Sequence, residues 1–565
     1  MENPALKTLR DLLFSSREKF ASEAALSYVD QEPLSYNDVG HRAQSIMVFL
    51  AQNGIGKGDR VALLGQNMPH WGVSYLAITA MGAVVVPILV DFNEKELNII
   101  LRHSHSRGII VSERLSAKIN DDLPLNVEFG LLLDSLAPFD INEFKKSKKL
   151  KTGESIITGS QNVQDVEIGE DDLAAILYTS GTTGKPKGVM LSHKNLISNA
   201  INTLGIQKVN QNDKLLSILP LAHTYECTIG FLIPFIGGAT IYYLEKPPTA
   251  SVLLPAMQKV KPTMMLTVPL IMEKIYNLQV KPKLTSKKVI RLLMKVGFLR
   301  KFFHRIAGKK IYNAFGGKLH FFGVGGAKLS FETEQFLRDA KFPYAIGYGL
   351  TETSPLLAGS ASSLTKFRST GFSLPNQEVK VIDIDPKTGE GEIVAKGPNI
   401  MLGYFKEPEL TAQAFTADGW FKTGDVGHYD KDGYLYIKGR VKNIILGSSG
   451  ENIYPEDIES VINSEEFVLE SLVYEFKGQL IAKVHFNHDE MAKRFNELKE
   501  SAADYKENMR QIVSQKLAEI KEKVNSTMNR ISRLNHVEEQ PDPFEKTPTQ
   551  KIKRFLYSKQ ENEKK

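Results

Sequence analysis

The sequence is nearly free of cysteine, with Cys227 alone among 565 residues. A single cysteine excludes an internal disulfide and any metal site that needs several thiolates. This usage is typical of a reducing compartment. The first twenty residues also lack the apolar core of a signal peptide, because charged side chains recur from Glu2 to Lys19. We therefore expect a cytoplasmic protein.

Long apolar runs and a strong net charge are missing as well. The two most apolar stretches, 75–90 and 229–244, are shorter than a membrane span and contain Gly and Pro, so they predict buried helix-to-strand units. The net charge of +6 is small for this length and excludes the concentrated basicity of a nucleic-acid binder. A chain of 565 residues is expected to form two or more domains.

One long stretch has no acidic residue, from Lys274 to Phe331. Eleven Lys and Arg residues fall within 281–310, interleaved with Leu, Met, Val and Phe. The favoured interpretation is a set of helices with apolar faces in the core and basic side chains in water. The alternative is a basic amphipathic surface that lies on an anionic membrane.

Helix and strand patterns alternate through the first part of the chain. A capped amphipathic helix is predicted after Ser35, then a strand at 61–64, a helix and strand around 75–87, a helix at 94–103 and a strand at 108–111. This order predicts a layered α/β domain with a largely parallel sheet.

A loop rich in glycine and hydroxyl groups follows the apolar strand predicted at 173–177. Glycines bring backbone N–H groups close to a ligand, the hydroxyls donate hydrogen bonds and the lysines supply positive charge. The spacing is not that of a Walker A loop, since only two residues separate its first glycine pair. The loop nonetheless predicts a polyphosphate cradle, backed by a helix near 192–196. Its residues are Thr179, Ser180, Gly181, Thr182, Thr183, Gly184, Lys185 and Lys187.

Further along the chain, short motifs carry groups suited to a nucleotide. Tyr348 can stack on a purine, Thr351 can bond a phosphate, and Glu352 can hold Mg²⁺ through oxygen. Asp425 is an acceptor suited to ribose hydroxyls, and Arg440 is a ribose or phosphate partner. Taken singly, each of these signals has an equally good structural explanation. His223 could be a histidine packed at a turn, and the Asp-Gly and Gly-Asp pairs could be ordinary hairpin turns.

In this order the motifs resemble those of the adenylate-forming, or AMP-binding, superfamily, in its long-chain fatty acid–CoA ligase branch. The resemblance covers about residues 30–555. It implies ATP, Mg²⁺ and CoA as the small molecules used. It implies catalytic roles for Lys551, His223, Thr351 and Glu352, and metal ligation by Thr179 and Glu352. The implied nucleotide- and CoA-binding positions are the 179–187 residues named above, with Gly325, Gly326, Ala327, Gly347, Tyr348, Gly349, Asp425, Arg440, Ser448, Ser449 and Gly450.

The resemblance also implies the fold and its division. We expect a large layered α/β N-terminal domain over 1–438 and a hinge at 439–443 that contains Lys442. A small, mobile α+β C-terminal domain, with a helical stretch at 500–534, is expected over 444–565. Lys551 follows Gln550, where the family has a glycine.

The function implied is formation of an acyl-adenylate from a fatty acid and ATP, followed by transfer of the acyl group to CoA. The segment from His223 to Glu226 is similar to that of fatty-acyl and aryl ligases, and amino-acid adenylation domains usually differ there. Transfer to acyl carrier protein is one alternative. A catalytically silent scaffold on a membrane surface, working through 281–310, is another. If 281–310 contacts a membrane, either as a surface of the enzyme or as the working part of a scaffold, we expect a peripheral location on the inner face of that membrane.

Overall fold

The structure is a computed structural model that describes residues 6–119, 122–147, 150–157, 166–180, 186–285, 288–447, 451–495, 502–547 and 551–558. Its α-helices are α1 Leu9–Phe20, α2 Tyr36–Gln52, α3 Pro69–Ala80, α4 Glu94–Ser104, α5 Glu113–Ser116, α6 Ile141–Ser147, α7 His193–Ile206, α8 Ile233–Gly237, α9 Ala250–Val260, α10 Pro269–Ile275, α11 Lys281–Thr285, α12 Lys288–Leu293, α13 Gly297–Ala314, α14 Phe331–Asp339, α15 Pro408–Gln413, α16 Pro455–Ile462, α17 His488–Phe495, α18 Ala502–Thr527 and α19 Phe555–Ser558.

The strands up to the hinge are β1 Ala24–Tyr28, β2 Leu34–Ser35, β3 Arg60–Leu64, β4 Val84–Ile88, β5 Ser106–Val111, β6 Phe129–Leu132, β7 Pro138–Phe139, β8 Leu173–Ser180, β9 Pro186–Ser192, β10 Lys214–Ser217, β11 Thr240–Tyr243, β12 Met264–Thr267, β13 Phe321–Val324, β14 Tyr344–Ile346, β15 Tyr348–Gly349, β16 Leu356–Gly359, β17 Phe372–Ser373, β18 Glu378–Ile382, β19 Gly391–Lys396, β20 Gly403–Tyr404, β21 Phe421–Tyr429 and β22 Leu435–Arg440. Those beyond are β23 Ile445–Leu446, β24 Asn452–Ile453, β25 Val468–Phe476, β26 Gln479–Phe486 and β27 His536–Glu539.

Short helices of other types complete the elements. Segments Tyr225–Leu232 and Tyr276–Val280 are π-helical. The 3₁₀ turns are Thr351–Thr353, Ser362–Leu364, Val441–Asn443 and Arg530–Ser532.

Local sequence signals set the first helices. The Ser35 side chain accepts from the backbone N–H of Asp38, and the Asp38 carboxylate accepts in return, so a capping box begins α2 as predicted. Asn93 and Glu96 form the same arrangement at the start of α4. These caps satisfy backbone donors that would otherwise lack partners.

Two large sheets, both mostly parallel, carry the N-terminal part. One has the order β20-β9-β8-β4-β3-β5-β6-β7, and the other has the order β14-β13-β12-β10-β11-β1-β2. The pairs of β3 with β4 and β5, and of β12 with β10 and β13, are parallel. A continuous core of buried Leu, Ile, Val and aromatic side chains lies between the sheets and their helices. The predicted layered α/β arrangement is confirmed.

The two apolar stretches of the sequence are buried, as predicted. The first forms the second half of α3 and then β4, and the second runs from a π-helix through α8 into β11. None of the helices in the described residues combines the length and hydropathy needed to span a bilayer.

The C-terminal part has a small α+β arrangement of its own. Strands β25 and β26 are antiparallel, and β27 pairs with β26 in parallel. Helices α16 and α18 pack against this sheet around Ile458, Ile520 and Val524. The helical stretch predicted at 500–534 is confirmed by α18 and the 3₁₀ turn after it. The domain limits themselves stay a prediction.

Candidate active site

The predicted phosphate loop is the tip of a β-hairpin. Strands β8 and β9 are antiparallel and place Thr179 directly opposite Lys187. Burial, together with the charge of nearby Lys442, lowers the pKa of Lys187, while Glu352 and Glu407 oppose the shift. The stem thus directs a threonine and a lysine from its two strands toward the same end of the hairpin. Residues Gly181–Lys185 lie outside the described residues.

Helix α7 backs this hairpin and also holds the turn that carries Glu352. Its Asn199 side-chain amide donates to the carbonyls of Thr353 and Leu356 at 3.3 and 2.8 Å. Asn399 donates to the same Thr353 carbonyl at 2.9 Å. The 3₁₀ turn Thr351–Thr353 is therefore fixed by buried amide hydrogen bonds.

Glu352 is oriented by a tyrosine from β20. The Tyr404 hydroxyl donates to Glu352 Oε1 at 2.9 Å. Burial first, and then the Glu352 charge, raises the pKa of Tyr404. The ammonium of Lys187 lies 5.7 Å from the centre of the Tyr404 ring. Tyr404 thereby links the carboxylate and the hairpin lysine.

Asp425 and Arg440 are directly paired across β21 and β22. Arg440 Nε lies 2.8 Å from Asp425 Oδ1, and the Tyr348 hydroxyl donates to Asp425 Oδ2 at 2.7 Å. Burial raises the pKa of Asp425, and Arg440 and Tyr348 oppose the shift. Both oxygens of this buried carboxylate are thus engaged, and three predicted nucleotide residues form one unit.

His223 is neutral and its tautomer is set by the backbone. The Tyr225 N–H donates to His223 Nδ1 at 3.2 Å, so the ring proton lies on Nε2. Burial, followed by the charge of Lys551, lowers the pKa of His223 to about 4. Near neutral pH the ring therefore presents an Nε2–H donor.

The glycine turn after β13 adjoins the same segment. A Cβ added at Gly325 would stand 2.9 Å from the Tyr225 ring, and Gly326 has a φ of +86° that other residues rarely adopt. Glycine at both positions lets the turn approach Tyr225 closely. Ala327 follows the turn and is exposed.

Lys551 comes from the other end of the chain into this cleft. Its pKa is lowered by burial first and by the charge of Arg440 second, while Asp425 and Glu352 raise it. Lys551 is nonetheless exposed to solvent. Lys551 therefore shares one cleft with Asp425, Arg440, Glu352 and His223.

Two hydrogen bonds with Thr547 fix the backbone of Lys551. Its backbone N–H donates to Thr547 Oγ1 at 3.1 Å, and its carbonyl accepts from the Thr547 N–H at 2.8 Å. Three residues later, Arg554 contacts the buried carboxylate of Glu459 on α16 and donates to the Val473 carbonyl at 3.3 Å. The lysine is thus braced against the C-terminal core.

Contacts between the two parts of the chain hold this arrangement. Lys328, next to the glycine turn, forms an ion pair with Asp457. Lys281 Nζ donates to the Ser464 carbonyl at 2.7 Å, and the Tyr454 hydroxyl donates to Glu390 at 2.7 Å. The C-terminal part is therefore seated with Lys551 directed into the cleft.

Comparison with known protein families matches residues 13–405 to the family described as AMP-binding enzyme. The match covers well over half of the chain.

The chain belongs to the AMP-binding enzyme family.

Curated relatives within the family span most of the chain. Long chain acyl-CoA synthetase 6, peroxisomal, of Arabidopsis thaliana is 30% identical over 491 residues, which are 81% of this chain and 69% of the relative. The chloroplastic long-chain-fatty-acid–[acyl-carrier-protein] ligase AEE15 of the same plant is 26% identical and covers 97% of this chain and 85% of the relative.

Solved structures show the fold. The crystal structure of ATP-bound MatB from Rhodopseudomonas palustris is similar with a TM-score of 0.75 at 24% identity, covering 99% of each chain. The adenylate-forming fold expected from the sequence is confirmed, with a large N-terminal and a small C-terminal part.

Several predicted site residues of this AMP-binding enzyme come together, and others are not described. Thr179, Lys187, Tyr348, Glu352 and Asp425 line the region that Lys551 enters. Ser448–Gly450 lie outside the described residues. Gly347 and Gly349 flank Tyr348 at the start of β15, where a Cβ at Gly349 would stand 1.8 Å from the Pro355 carbonyl oxygen. Lys442 lies in a 3₁₀ turn and is exposed, as a hinge residue would be.

Sequence reasoning missed four residues that position the site. These are Tyr404, Asn199, Asn399 and Arg554. Tyr404 and Asn399 lie in segments without any motif of their own. Arg554 lies three residues after Lys551. That position alone could have suggested that it helps to place the lysine.

A buried carboxyl of the AMP-binding enzyme predicts an unusual pH dependence of stability. Glu226 is 1% exposed, its Oε1 accepts from Ser217 Oγ at 2.5 Å, and its Oε2 has no partner in the described chain. Burial raises the pKa of Glu226 from 4.5 to about 8, and the Ser217 hydrogen bond opposes this. The folded protein therefore keeps a proton that the unfolded chain loses, and stability falls as pH rises from 4.5 to 8.

Replacing Glu226 with glutamine should remove this loss. Each pKa unit corresponds to about 1.4 kcal/mol. The free energy of unfolding of E226Q, relative to that of the parent, should therefore rise by up to about 3 kcal/mol between pH 4.5 and pH 7. Thermal melts at pH 5 and pH 7.5 measure the difference in Tm. E409Q, at an exposed glutamate, should melt like the parent at both pH values. Equal loss of Tm at both pH values in E226Q would contradict the argument.

Proposed function

We propose that this chain is a long-chain fatty acid–CoA ligase that works in two half-reactions. The observation that carries the proposal is the placement of Lys551 from the C-terminal part beside the Asp425–Arg440 pair, Glu352 and His223. A single cleft thus combines a ribose acceptor, a carboxylate suited to a metal and a lysine suited to a phosphate. The family match and the curated relatives named acyl-CoA synthetases support the reaction class, AMP-forming ligation of an acid to a thiol.

In the first half-reaction a fatty carboxylate oxygen attacks the α-phosphorus of ATP. A new O–P bond forms, the bond to the β-phosphate bridging oxygen breaks, and pyrophosphate leaves. Thr179 and Lys187 hold the leaving pyrophosphate, and Lys551 neutralises charge on the phosphate that is transferred. The Nε2–H of His223 donates to an oxygen of the reacting groups. The chain works by positioning and electrostatics, with no covalent enzyme intermediate.

Asp425 and Tyr348 hold the nucleoside. One carboxylate oxygen of Asp425 accepts from the ribose hydroxyls, while Arg440 opposes the rise in the pKa of this carboxyl that burial causes. The Tyr348 ring stacks on the purine beside the glycine turn at Gly325–Ala327.

The residues present fit Mg²⁺ bound jointly by protein and phosphate. Within the described residues no cluster of three or more His, Cys, Asp or Glu side chains could hold a metal by itself. Glu352, oriented by Tyr404, and Thr179 offer two oxygens, and Mg²⁺ commonly takes one or two protein ligands with the rest from phosphates and water. When bound, the ion neutralises charge on the phosphate oxygens.

In the second half-reaction the C-terminal part turns about Lys442 and withdraws Lys551. This rotation brings residues 447–453 to the cleft, the CoA sulfur attacks the acyl carbon, and AMP leaves. The contacts Lys328–Asp457 and Lys281–Ser464 break in this rotation. Both are partly exposed, so each is worth little and can be exchanged readily. The division into 1–438, 439–443 and 444–565 follows from this proposal.

The acyl acceptor is proposed to be CoA. A relative at 30% identity is named an acyl-CoA synthetase, and a relative at 26% is named an acyl-carrier-protein ligase. Transfer to a carrier protein is the competing proposal, and the basic side chains near Lys551 suit either acceptor. Peripheral contact with an anionic membrane through 281–310 is proposed as part of the same function.

AMP formation tests the proposal directly. Purified protein with ATP, Mg²⁺ and palmitate should form AMP at a rate that depends on added CoA, and acetate and coumarate should be poorer substrates. Turnover with acyl carrier protein but not CoA would establish the alternative acceptor. Neither AMP nor pyrophosphate with any acid, together with no rise in Tm on adding ATP, would leave only the silent scaffold.

A further inference from the structure

Helix α13 carries two parallel stripes of exposed side chains. Phe298, Phe302 and Ile306, spaced four residues apart, are 72%, 57% and 45% exposed. Lys301, Arg305 and Lys309 form a second exposed stripe with the same spacing. Residues four apart share one helix face, so an apolar row and a basic row run side by side over three turns.

The opposite face of α13 accounts for its folding. His304 and Ile311 are buried, and Arg300 and His304 both contact the buried carboxylate of Asp339 on α14 at 2.8 and 3.0 Å. A Cβ at Gly308 would stand 2.5 Å from the Ala340 side chain, so the helices pack closely. The exposed face is thus not needed to attach the helix.

Among the residues that the structure describes, none forms an ion pair with Lys301, Arg305 or Lys309. Across the described part of 281–310, ion pairs are made only by Lys281, Arg300 and His304. No acidic residue lies between Lys274 and Phe331, so neighbouring turns offer none. The favoured interpretation of the sequence placed the apolar faces of these helices in the core. It is wrong for Phe298, Phe302 and Ile306, which are exposed.

We propose that the α13 face formed by Phe298, Lys301, Phe302, Arg305, Ile306 and Lys309 docks the enzyme on an anionic lipid bilayer. The proposal rests on the proposed function, because it concerns delivery of the fatty acid. Phenyl rings enter the boundary between headgroups and acyl chains, and Lys and Arg stems extend along them with charges at the lipid phosphates. A nucleic acid or an acidic protein would use the charges but leave the phenyl rings in water.

Neighbouring elements extend the apolar surface beyond α13. Val289 and Leu292 on α12 are 68% and 65% exposed, and Leu278 in the preceding π-helix is 55% exposed. That π-helix continues α10. The apolar part of the docking surface therefore extends over consecutive elements of the chain. A fatty acid dissolved in the bilayer would be the substrate presented there.

Vesicle sedimentation of the full chain tests the proposal, with no ATP or fatty acid present. The parent should bind vesicles of phosphatidylglycerol and phosphatidylcholine at 50 mM salt, bind pure phosphatidylcholine weakly, and be released as salt rises. Because each Lys or Arg near an anionic surface is worth about fivefold in partitioning, K301Q/R305Q/K309Q should bind on the order of 100-fold more weakly. F298S/F302S should bind at least tenfold more weakly.

Matched controls separate this face from general charge and hydropathy. K95Q/K387Q/K431Q removes three exposed lysines elsewhere, and L125S/I384S removes two exposed apolar side chains. Both should bind vesicles like the parent. With palmitate in detergent micelles every variant should keep the parent kcat, and with palmitate in anionic vesicles the α13 variants should show a raised KM.

Three outcomes would overturn the proposal. These are failure of the parent to bind anionic vesicles, equal binding by F298S/F302S, and equal losses in the control variants. Capture of acyl carrier protein that depends on Lys301, Arg305 and Lys309, without vesicle binding, would replace the lipid with a protein partner. Inactivity of the parent in micelles would contradict the ligase function. The vesicle-binding result would still decide whether α13 docks on lipid, because that assay contains no ATP or fatty acid.

Discussion

Replacing Lys551 with alanine is expected to slow acyl-adenylate formation by about 10³-fold. In the described arrangement the ammonium lies in the cleft with Arg440, Asp425 and Glu352. A preorganised donor to developing phosphate charge contributes about this much when it is removed. The measurement is single-turnover formation of acyl-AMP from ATP and palmitate.

The second half-reaction provides the decisive contrast. Preformed palmitoyl-AMP and CoA should give palmitoyl-CoA in K551A at a rate within a few-fold of the parent, because Lys551 has left the cleft by then. For acyl-adenylate formation K553A is the matched control, since Lys553 lies two residues away and pairs with Glu545 at 3.6 Å. Equal losses in both half-reactions would mean that the variant is misfolded or that the C-terminal part does not rotate.

Much of the site could be predicted because its groups lie in short contiguous motifs. Thr179 and Lys187 belong to one loop, and Tyr348 and Glu352 to another. The residue types of such a motif can be recognised in the sequence without knowledge of the fold. The direct pairing of Asp425 with Arg440 could not be read in this way, since it depends on the register of β21 against β22.

The residues that orient the motif side chains were not predictable. Tyr404 reaches Glu352 from 52 positions away, and Asn199 reaches Thr353 from 154 positions away. A lone tyrosine or asparagine in a sequence has many uses, and only the folded backbone selects one. For the same reason, the exposure of Phe298 and Phe302 was not expected from helical spacing, which suits a core face equally well.

The fold was predicted best where local signals agree with the layer pattern. The capped helix after Ser35, the buried strand β3 and the α3–β4 unit follow from caps, apolar runs and their order. The hairpin of β8 and β9 was not foreseen, because the loop between them suggested a turn leading straight to a helix. Antiparallel pairing at the edge of a parallel region depends on long-range packing that a single sequence does not show.

Replacing Asp425 with asparagine is expected to lower kcat/KM for ATP by about 10²- to 10³-fold. The carboxylate is 5% exposed, and Arg440 and Tyr348 contact its two oxygens. Arg440 is 40% exposed, so solvent screens much of the charge that the substitution leaves unpaired, and the fold should be affected less than ATP binding. The amide also presents N–H donors where the ribose hydroxyls need an acceptor. The KM for palmitate should change little, and steady-state kinetics with each substrate varied separately measures this split.

A double-mutant cycle with Arg440 distinguishes nucleotide binding from structural support. If the pair acts as one unit, D425N/R440M should lose little more than D425N alone, and the two losses should be far from additive. D418N is the control, since Asp418 is exposed on the same segment and accepts from Thr416 Oγ1 at 2.6 Å. If D425N shows a clear drop in Tm together with its loss of activity, Asp425 acts by stabilising the fold. Loss of kcat/KM for ATP at an unchanged Tm would assign it to the ribose, because a well-folded site then lacks only the acceptor.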